Sequence, residues 1–287
     1  MSVSYVNQPV KRKKKLKIST IIIYFILILW AVTTIFPFVW IINNSFKESS
    51  EVLMSSFALP KEFTWMNYET AFNRMNVLNA YKQSFIISGI VTLGVMVCAI
   101  FMAFALSRYN FKLKKLISSL IVASLMFPVF STIIPVFEMM VRANLLNTVV
   151  AVILPQIAGN LSFATIVMKG FVDSIPIEME EAAYMEGAKV FQVFRKIIIP
   201  LCKPSLSTVA IFSFMWSYND LFVQSIMIRD NTKYPVSKLL QTISSMYGTD
   251  FGLMASSVTL IVVPVVIVYI FLQKNIIKGL TAGAVKG

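Results

Sequence analysis

Histidine is absent from this 287-residue chain, and cysteine is nearly so, with two residues. Without histidine, Ser-His-Asp triads and histidine metal sites are excluded. Cys98 and Cys202 lie within or beside apolar segments, which argues against a disulfide framework or a cysteine metal cluster. No G-x-x-x-x-G-K-[ST] phosphate loop is present, so the chain lacks that means of binding ATP. We therefore expect neither an enzyme nor a bound cofactor.

Charged residues are also scarce, because they make up 14% of the chain against 57% hydrophobic residues. This balance is typical of a membrane protein and excludes an ordinary soluble domain. The net charge of +13 comes from basic residues that cluster beside the hydrophobic segments. Such clusters set the orientation of a protein in the lipid bilayer, and we do not expect nucleic-acid binding.

Long hydrophobic runs make up most of the sequence after the basic N-terminal segment. Each is long enough to span a membrane as a helix, and only Asp220 interrupts one of them. The predicted spans cover about 18–42, 84–107, 116–137, 144–168, 204–228 and 251–273. The prediction is an all-α integral membrane protein with six transmembrane helices over 18–276. A basic tail precedes them at 1–17, and a second tail follows at 277–287.

Several spans contain proline, which removes a backbone hydrogen bond and tends to kink a helix. These residues are Pro37, Pro128, Pro135, Pro155 and Pro264. Packing alone explains prolines in membrane helices, so no single one is assigned a gating role.

Lysine and arginine are unevenly divided between the two sides of the predicted membrane. Most of the 26 basic residues fall in the set of alternate segments that includes both tails and the loop at 171–203. The positive-inside rule assigns this richer set to the cytoplasm. Both termini and this loop are therefore predicted to be cytoplasmic.

The loop at 171–203 carries the clearest local pattern in the chain. Pro176 and the acidic residues after it are typical of a helix start, and Gly187 is placed to end that helix in a left-handed turn. Apolar residues from Val190 to Ile198 then repeat at helical spacing until Pro200. Spacing alone leaves open a simple helical hairpin on the membrane surface.

The identities of the residues in this loop allow a more specific assignment than their spacing does. Glu181-Ala182-Ala183, then Gly187, then Ile197-x-Ile199-Pro200 resembles the EAA loop of ABC importer permeases, with Ile199 in place of leucine. The resemblance implies a cytoplasmic coupling helix that docks in a cleft of an ATPase subunit. It assigns ATPase coupling to Glu181, Ala182, Ala183, Gly187, Ile197 and Pro200.

The fifth predicted span contains an ionisable residue, Asp220. Ionisable residues within a membrane span are candidates for a functional role. Trp216, Asn219 and Asp220 resemble a tryptophan-asparagine-acid motif of carbohydrate permeases, with Ser217 and Tyr218 inserted. Aromatic faces beside hydrogen-bonding groups suit a sugar, although an interfacial aromatic belt has a similar composition. The predicted substrate pathway consists of Trp216, Tyr218, Asn219 and Asp220.

The resemblance extends over nearly the whole chain and indicates the carbohydrate-uptake, maltose-type family of ABC permeases with the type I importer fold. It implies a bacterial inner-membrane subunit whose partners are a second permease in a heterodimer, an ATPase dimer that uses ATP, and an extracytoplasmic sugar-binding protein. The terminal KGLTAGAVKG resembles the cytoplasmic tail of such permeases. Alternatives are an ion-gradient-driven secondary transporter, a membrane scaffold, or an ABC importer for glycerol phosphate or a polyol.

Overall fold

All regular structure in the described part of the chain is helical. The computed structural model describes residues 18–239, 241 and 250–284, and no strand occurs within these ranges. Four long helices are α1 (Ile18–Ser45), α4 (Val77–Arg108), α7 (Val150–Asp173) and α13 (Phe251–Ala284). Each contains an apolar stretch long enough to cross a membrane. This agrees with the predicted class of fold.

Shorter helices connect or extend the long ones. They are α2 (Ser49–Ser55), α3 (Met66–Met75), α5 (Lys114–Ser124), α6 (Val129–Arg142), α8 (Glu178–Met185), α9 (Val190–Val193), a π-helical turn (Phe194–Ile198), α10 (Ile199–Leu201), α11 (Lys203–Asn219), α12 (Leu221–Met227) and a 3₁₀ turn (Asn231–Lys233).

The predicted third span, 116–137, is wrong as a single helix. Residues 125–128 break it into α5 and α6. Pro128 has extended backbone (ψ 133°), donates no hydrogen bond and disfavours helical geometry at the residue before it. Pro135, in contrast, lies inside α6 without interrupting it.

The predicted fifth span, 204–228, is also broken. Asp220 separates α11 from α12, and its carboxylate accepts a hydrogen bond from the backbone N–H of Val223 at 3.0 Å. An aspartate that caps a new helix in this way ends the preceding one. Within the described residues, four helices and one bent pair, Val190–Leu201 with Lys203–Asn219 at 72°, meet the length and composition of a span. The predicted count of six continuous spans is therefore not confirmed.

The core lies where α4, α7 and α11 pack together. The α4 face that meets these helices carries small and β-branched residues, including Val91, Val95, Ala99 and Ala103, which are fully buried. Small side chains let helix backbones approach closely, as is typical of membrane helix packing. By contrast, α1 packs on α13 and leaves its apolar surface exposed, with Trp30 74% exposed.

The segment between α1 and α4 folds into an ordered cap around a buried lysine. Lys47 is fully buried, and its ammonium group donates to the carbonyl oxygens of Ser55 at 2.8 Å and Ala58 at 2.6 Å. The cap also meets the start of α13, because a Cβ on Gly252 would lie 2.4 Å from the Lys47 carbonyl oxygen. The end of α1 and the beginning of α13 are thus held together.

Candidate functional site

The first candidate site is the segment 175–201, which we call the EAA hairpin. Its turn is at Gly187, which has φ +83°, in the left-handed region that favours glycine. The N–H of Gly187 donates to the Tyr184 carbonyl and that of Ala188 to the Ala183 carbonyl, both at 3.0 Å. This pair of bonds is the Schellman motif that closes a helix. The predicted left-handed turn is confirmed.

The second arm of the hairpin is helical, but it does not stop at Pro200 as the sequence predicted. It continues as helix to Leu201. The reason lies in the π-helical turn before it, where the N–H of Ile199 donates to the Phe194 carbonyl, five residues back. A wider turn gives room for a proline ring that would clash with the carbonyl four residues earlier. The bend of 72° follows at the junction with α11.

Both arms of the EAA hairpin attach to the same end of α4. On the first arm, the buried Glu180 carboxylate pairs with the Arg108 guanidinium at 2.5 Å, and Arg108 also donates to the Ile175 carbonyl at 2.9 Å. On the second arm, the centroid of the Phe194 ring lies 4.8 Å from the ring centroid of Phe101 and 5.1 Å from that of Phe104. An ion pair and an aromatic cluster therefore join the hairpin to the central helix.

The outer surface of the hairpin carries the predicted coupling residues. Glu181, Ala182, Gly187 and Pro200 are exposed, and Ala183 and Ile197 are half-buried. A hollow of about 360 Å³ lies between the arms and is lined in part by Ala183, Gly187 and Ile197. Near it, partial burial and then the neighbouring Glu180 carboxylate raise the pKa of Tyr184 above its ordinary value. The predicted coupling residues thus lie together on the exposed side of the hairpin and around this hollow.

The second candidate site is a cavity of about 330 Å³ between α6, α7, α11 and α12. A chain of polar side chains forms part of its wall. The Gln156 amide donates to Asp220 at 2.8 Å and accepts from the Ser217 hydroxyl at 2.6 Å. Helix breaks at Pro128 and Asp220 lie beside it, since Phe130 and Phe222 line the cavity just after each break. Interrupted helices at membrane depth are tolerated where they line a cavity.

The structure separates the four predicted pathway residues. Trp216 and Asp220 line the cavity. Tyr218 is 4% exposed and packs in a separate apolar cluster with Val77, Ala80, Val236 and Leu239. Asn219 is exposed and donates to the Met215 carbonyl at 2.8 Å. The cavity thus brings together two of the four.

Sequence reasoning missed two polar residues of the cavity wall, Gln156 and Asn160. Both lie in the predicted span 144–168, which is recognised in the sequence only by its apolar and charge-free composition. Their spacing of four residues places both on one helix face, which is the signal that identifies them. It also missed Arg108 and Glu180, because the partner of a buried charge is not visible in a linear sequence.

A comparison with known families decides the identity. Residues 95–282 match the family described as "Binding-protein-dependent transport system inner membrane component". The match covers more than half of the chain. The chain belongs to this family.

Similar proteins and structures agree with that assignment. The permease is 31% identical over 260 residues to the diacetylchitobiose uptake system permease protein NgcG of Streptomyces coelicolor, covering 90% of this chain and 86% of the relative. It is 32% identical over 269 residues to the galactooligosaccharides transport system permease protein GanQ of Bacillus subtilis, covering 92% and 94%. A solved chain of a bacterial ABC transporter involved in alginate import matches with TM-score 0.79 and 23% identity, covering 90% and 96%.

These likenesses establish the class of the permease. The structural match confirms the fold of an ABC importer permease. Family membership makes the permease a transport component of the inner membrane, which is not an enzyme in general.

Proposed function

We propose that this permease is the membrane-spanning subunit of an ATP-driven ABC importer for a sugar or oligosaccharide delivered by an extracytoplasmic binding protein. Similar permeases are named for diacetylchitobiose and galactooligosaccharides. A further solved relative of the fold is an alginate ABC transporter in complex with an alginate pentasaccharide-bound periplasmic protein. These names support a saccharide cargo and a binding protein as its donor.

One observation carries the coupling part of this proposal: both arms of the EAA hairpin are fixed to the end of α4. The Arg108–Glu180 ion pair holds one arm and the Phe194 ring holds the other. Because α4 packs along α7 and α11, which line the cavity, a displacement of the hairpin is passed to the cavity wall. This geometry supports a hairpin that receives movement from an ATPase.

The partners follow from this role. The exposed Glu181, Ala182 and Pro200 face a cleft of a cytoplasmic ATPase, and the ATPase dimer uses the ATP that this chain has no phosphate loop to bind. A second permease subunit completes the pathway as a heterodimer. The hairpin and both termini lie on the cytoplasmic side, in agreement with the distribution of basic residues.

A pair of substitutions at Gly187 tests the coupling role. In this structure a Cβ at Gly187 would meet no atom within 4 Å, so a side chain there would project away from the chain. Gly187→Ala adds only the backbone strain of a left-handed residue, about 1 kcal/mol. Gly187→Asp adds no more strain than alanine, because aspartate is better tolerated in this region, but it places a charge on the docking surface. We expect Gly187→Ala to retain ATPase binding and partial uptake, and Gly187→Asp to lose both.

The measurements are membrane abundance, ATPase pull-down and ATP-dependent sugar uptake in vesicles. Glu181→Lys, on the exposed face of α8, should give a milder loss of ATPase binding than Gly187→Asp. Normal pull-down and normal uptake by Gly187→Asp, at wild-type abundance, would contradict the coupling role. In that case the hairpin is a surface feature of the bilayer interface.

A further inference from the structure

The cap between α1 and α4 contains an apolar loop, residues 53–59, which we call the cap loop. It carries no charged side chain. Its four large apolar side chains are between 69% and 88% exposed, and these are Leu53, Met54, Phe57 and Leu59. Exposed apolar surface of this kind marks a contact with another protein or with a membrane.

The Phe57 ring is directed from the cap back along α1. It stacks on the Phe36 ring with centroids 6.3 Å apart, and its centroid lies 6.4 Å from that of the Trp40 ring. Phe36 and Trp40 precede the end of α1 at Ser45 by nine and five residues. At 1.5 Å per residue, the ring reaches roughly 8–14 Å along α1 from that end. The cap loop therefore folds back over a membrane span.

The length of α1 gives the depth of this contact. α1 begins at Ile18, directly after the basic N-terminal segment. Phe36 and Trp40 follow 18 and 22 residues later, which corresponds to roughly 27 and 33 Å along the helix. A hydrocarbon core about 30 Å thick ends between these two residues, and a tilt of about 20° moves that boundary by only about one residue. Phe57 lies at the boundary.

Two main-chain carbonyl groups of the cap loop are satisfied from within the cap. The buried Lys47 ammonium group donates to the carbonyl oxygens of Ser55 and Ala58, and the Asn43 amide donates to Ala58 at 2.8 Å. No carboxylate of the described residues forms an ion pair with Lys47. Irregular backbone at membrane depth requires partners within the protein, because hydrocarbon supplies no hydrogen bonds. Lys47 supplies them here.

The surface of α1 is the reason to assign lipid, and not a protein, as the partner of the cap loop. None of the residues in the most apolar stretch of α1 is buried, and the stretch has the length and hydropathy of a membrane span. Phe57 extends this apolar surface, since it stacks on Phe36. The first charged side chains after the loop, Lys61 and Glu62, are exposed. An apolar segment with a charged border at this depth is typical of an interfacial anchor.

We propose that the cap loop is a lipid-binding element that inserts into the outer leaflet, at the boundary between headgroups and acyl chains. Phe57 and Leu59 contact the acyl chains, while Lys47 holds the carbonyl groups of the loop. Because the loop is uncharged, its insertion does not require anionic lipid. The inference concerns contact with the membrane and is independent of the cargo that the permease carries.

A spin label at position 59 tests this placement in the assembled transporter. The cysteine that carries the label is introduced into a variant without Cys98 and Cys202, and the transporter is reconstituted in phosphatidylcholine nanodiscs. Molecular oxygen concentrates among acyl chains, whereas a water-soluble nickel chelate does not. A label at position 62 is the reference, because Glu62 is an exposed charged residue of the same cap. We expect the ratio of oxygen to nickel accessibility to be several-fold higher at 59 than at 62.

Two phenylalanine substitutions supply a matched comparison for the label at position 59. Phe57→Glu places a carboxylate at the hydrocarbon boundary, which is unfavourable, so it should raise the nickel accessibility of the label several-fold. Phe63→Glu is the control. Phe63 is also an exposed ring of the cap, but it packs on Phe46, beyond the end of α1, with centroids 5.7 Å apart. It should leave the label unchanged.

The outcomes separate lipid from the other possible surroundings of the loop. Equal ratios at 59 and 62 would place the cap loop in water and overturn the proposal. Low accessibility to both oxygen and nickel at 59 would show that another subunit covers the loop, which would also overturn it. Equal responses to Phe57→Glu and Phe63→Glu would remove the anchoring role of Phe57. None of these readouts requires transport, so a failure of the lipid contact leaves the proposed sugar import standing.

Discussion

At the scale of single residues, the pair of Arg108 and Glu180 joins α8 to the end of α4. The two side chains are 12% and 4% exposed, and their charged atoms lie 2.5 Å apart. Breaking a buried ion pair on one side costs about 3–5 kcal/mol, because the remaining charge is left without compensation. The pair is thus a strong tether between the EAA hairpin and α4.

We predict that Glu180→Gln lowers ATP-dependent uptake by about tenfold while the permease still assembles, because α8 loses its tether and moves relative to α4. The charge-swapped double variant, Arg108→Glu with Glu180→Arg, should recover part of the uptake. Recovery is partial because the bond from Arg108 to the Ile175 carbonyl is lost.

Glu178→Gln is the control for this prediction, since Glu178 is on the same helix but exposed. It should leave uptake unchanged. If Glu178→Gln and Glu180→Gln give the same uptake at the same abundance, the ion pair has no role in coupling.

At the scale of elements, the two helix breaks shape the cavity. Pro128 precedes α6 and Asp220 precedes α12, and each break turns an aromatic residue, Phe130 or Phe222, towards the cavity. These two rings meet edge to face with centroids 4.5 Å apart. A continuous helix through either break would move its aromatic residue away from this contact.

We predict that Pro128→Ala lowers uptake several-fold, because alanine permits α5 and α6 to join as one helix. Pro135→Ala is the matched control: it removes a proline from the same region where the helix is already continuous. The measurement is uptake at equal membrane abundance, with limited crosslinking of residues 130 and 222 as a structural readout. Equal uptake by the two variants, with the crosslink retained, would show that the break does not depend on Pro128.

At the scale of the whole molecule, the arrangement of helix ends defines two faces. The cap between α1 and α4 meets the beginning of α13, where the Ser49 hydroxyl donates to Asp250 at 2.5 Å. The EAA hairpin lies at the opposite end of α4. The cap and the hairpin therefore mark opposite sides of the membrane.

We predict the labelling of single cysteines introduced into a variant without Cys98 and Cys202. Cysteines at positions 13, 112 and 278 should be protected from an impermeant thiol reagent in intact cells, because the basic residues of these segments assign them to the cytoplasm. Cysteines at positions 61 and 233 should react. Position 13 and the side chain of 278 lie outside the described residues. Labelling at 112 from outside would reverse the orientation.

The sequence by itself determined the properties that depend on composition and on local backbone chemistry. Its apolar content required a membrane protein, and the six residues assigned to coupling identified the hairpin. Gly187 fixed the left-handed turn, because the Schellman bonds that close it join residues at most five apart. Geometry that depends on so few neighbouring residues can be predicted from the sequence of the turn.

Only the tertiary structure decided which neighbouring polar residues are buried and in which direction they point. Glu180 and Glu181 are adjacent, but successive helical residues point about 100° apart, and packing on α4 buries the first and exposes the second. In the same way, the packing of α7 against α11 and α12 places Gln156 and Asn160 in the wall of the cavity, while Tyr218 points into a separate apolar cluster. The partners of Glu180, Gln156 and Tyr218 are far away in the sequence, so the environments of these side chains exist only once the helices have packed.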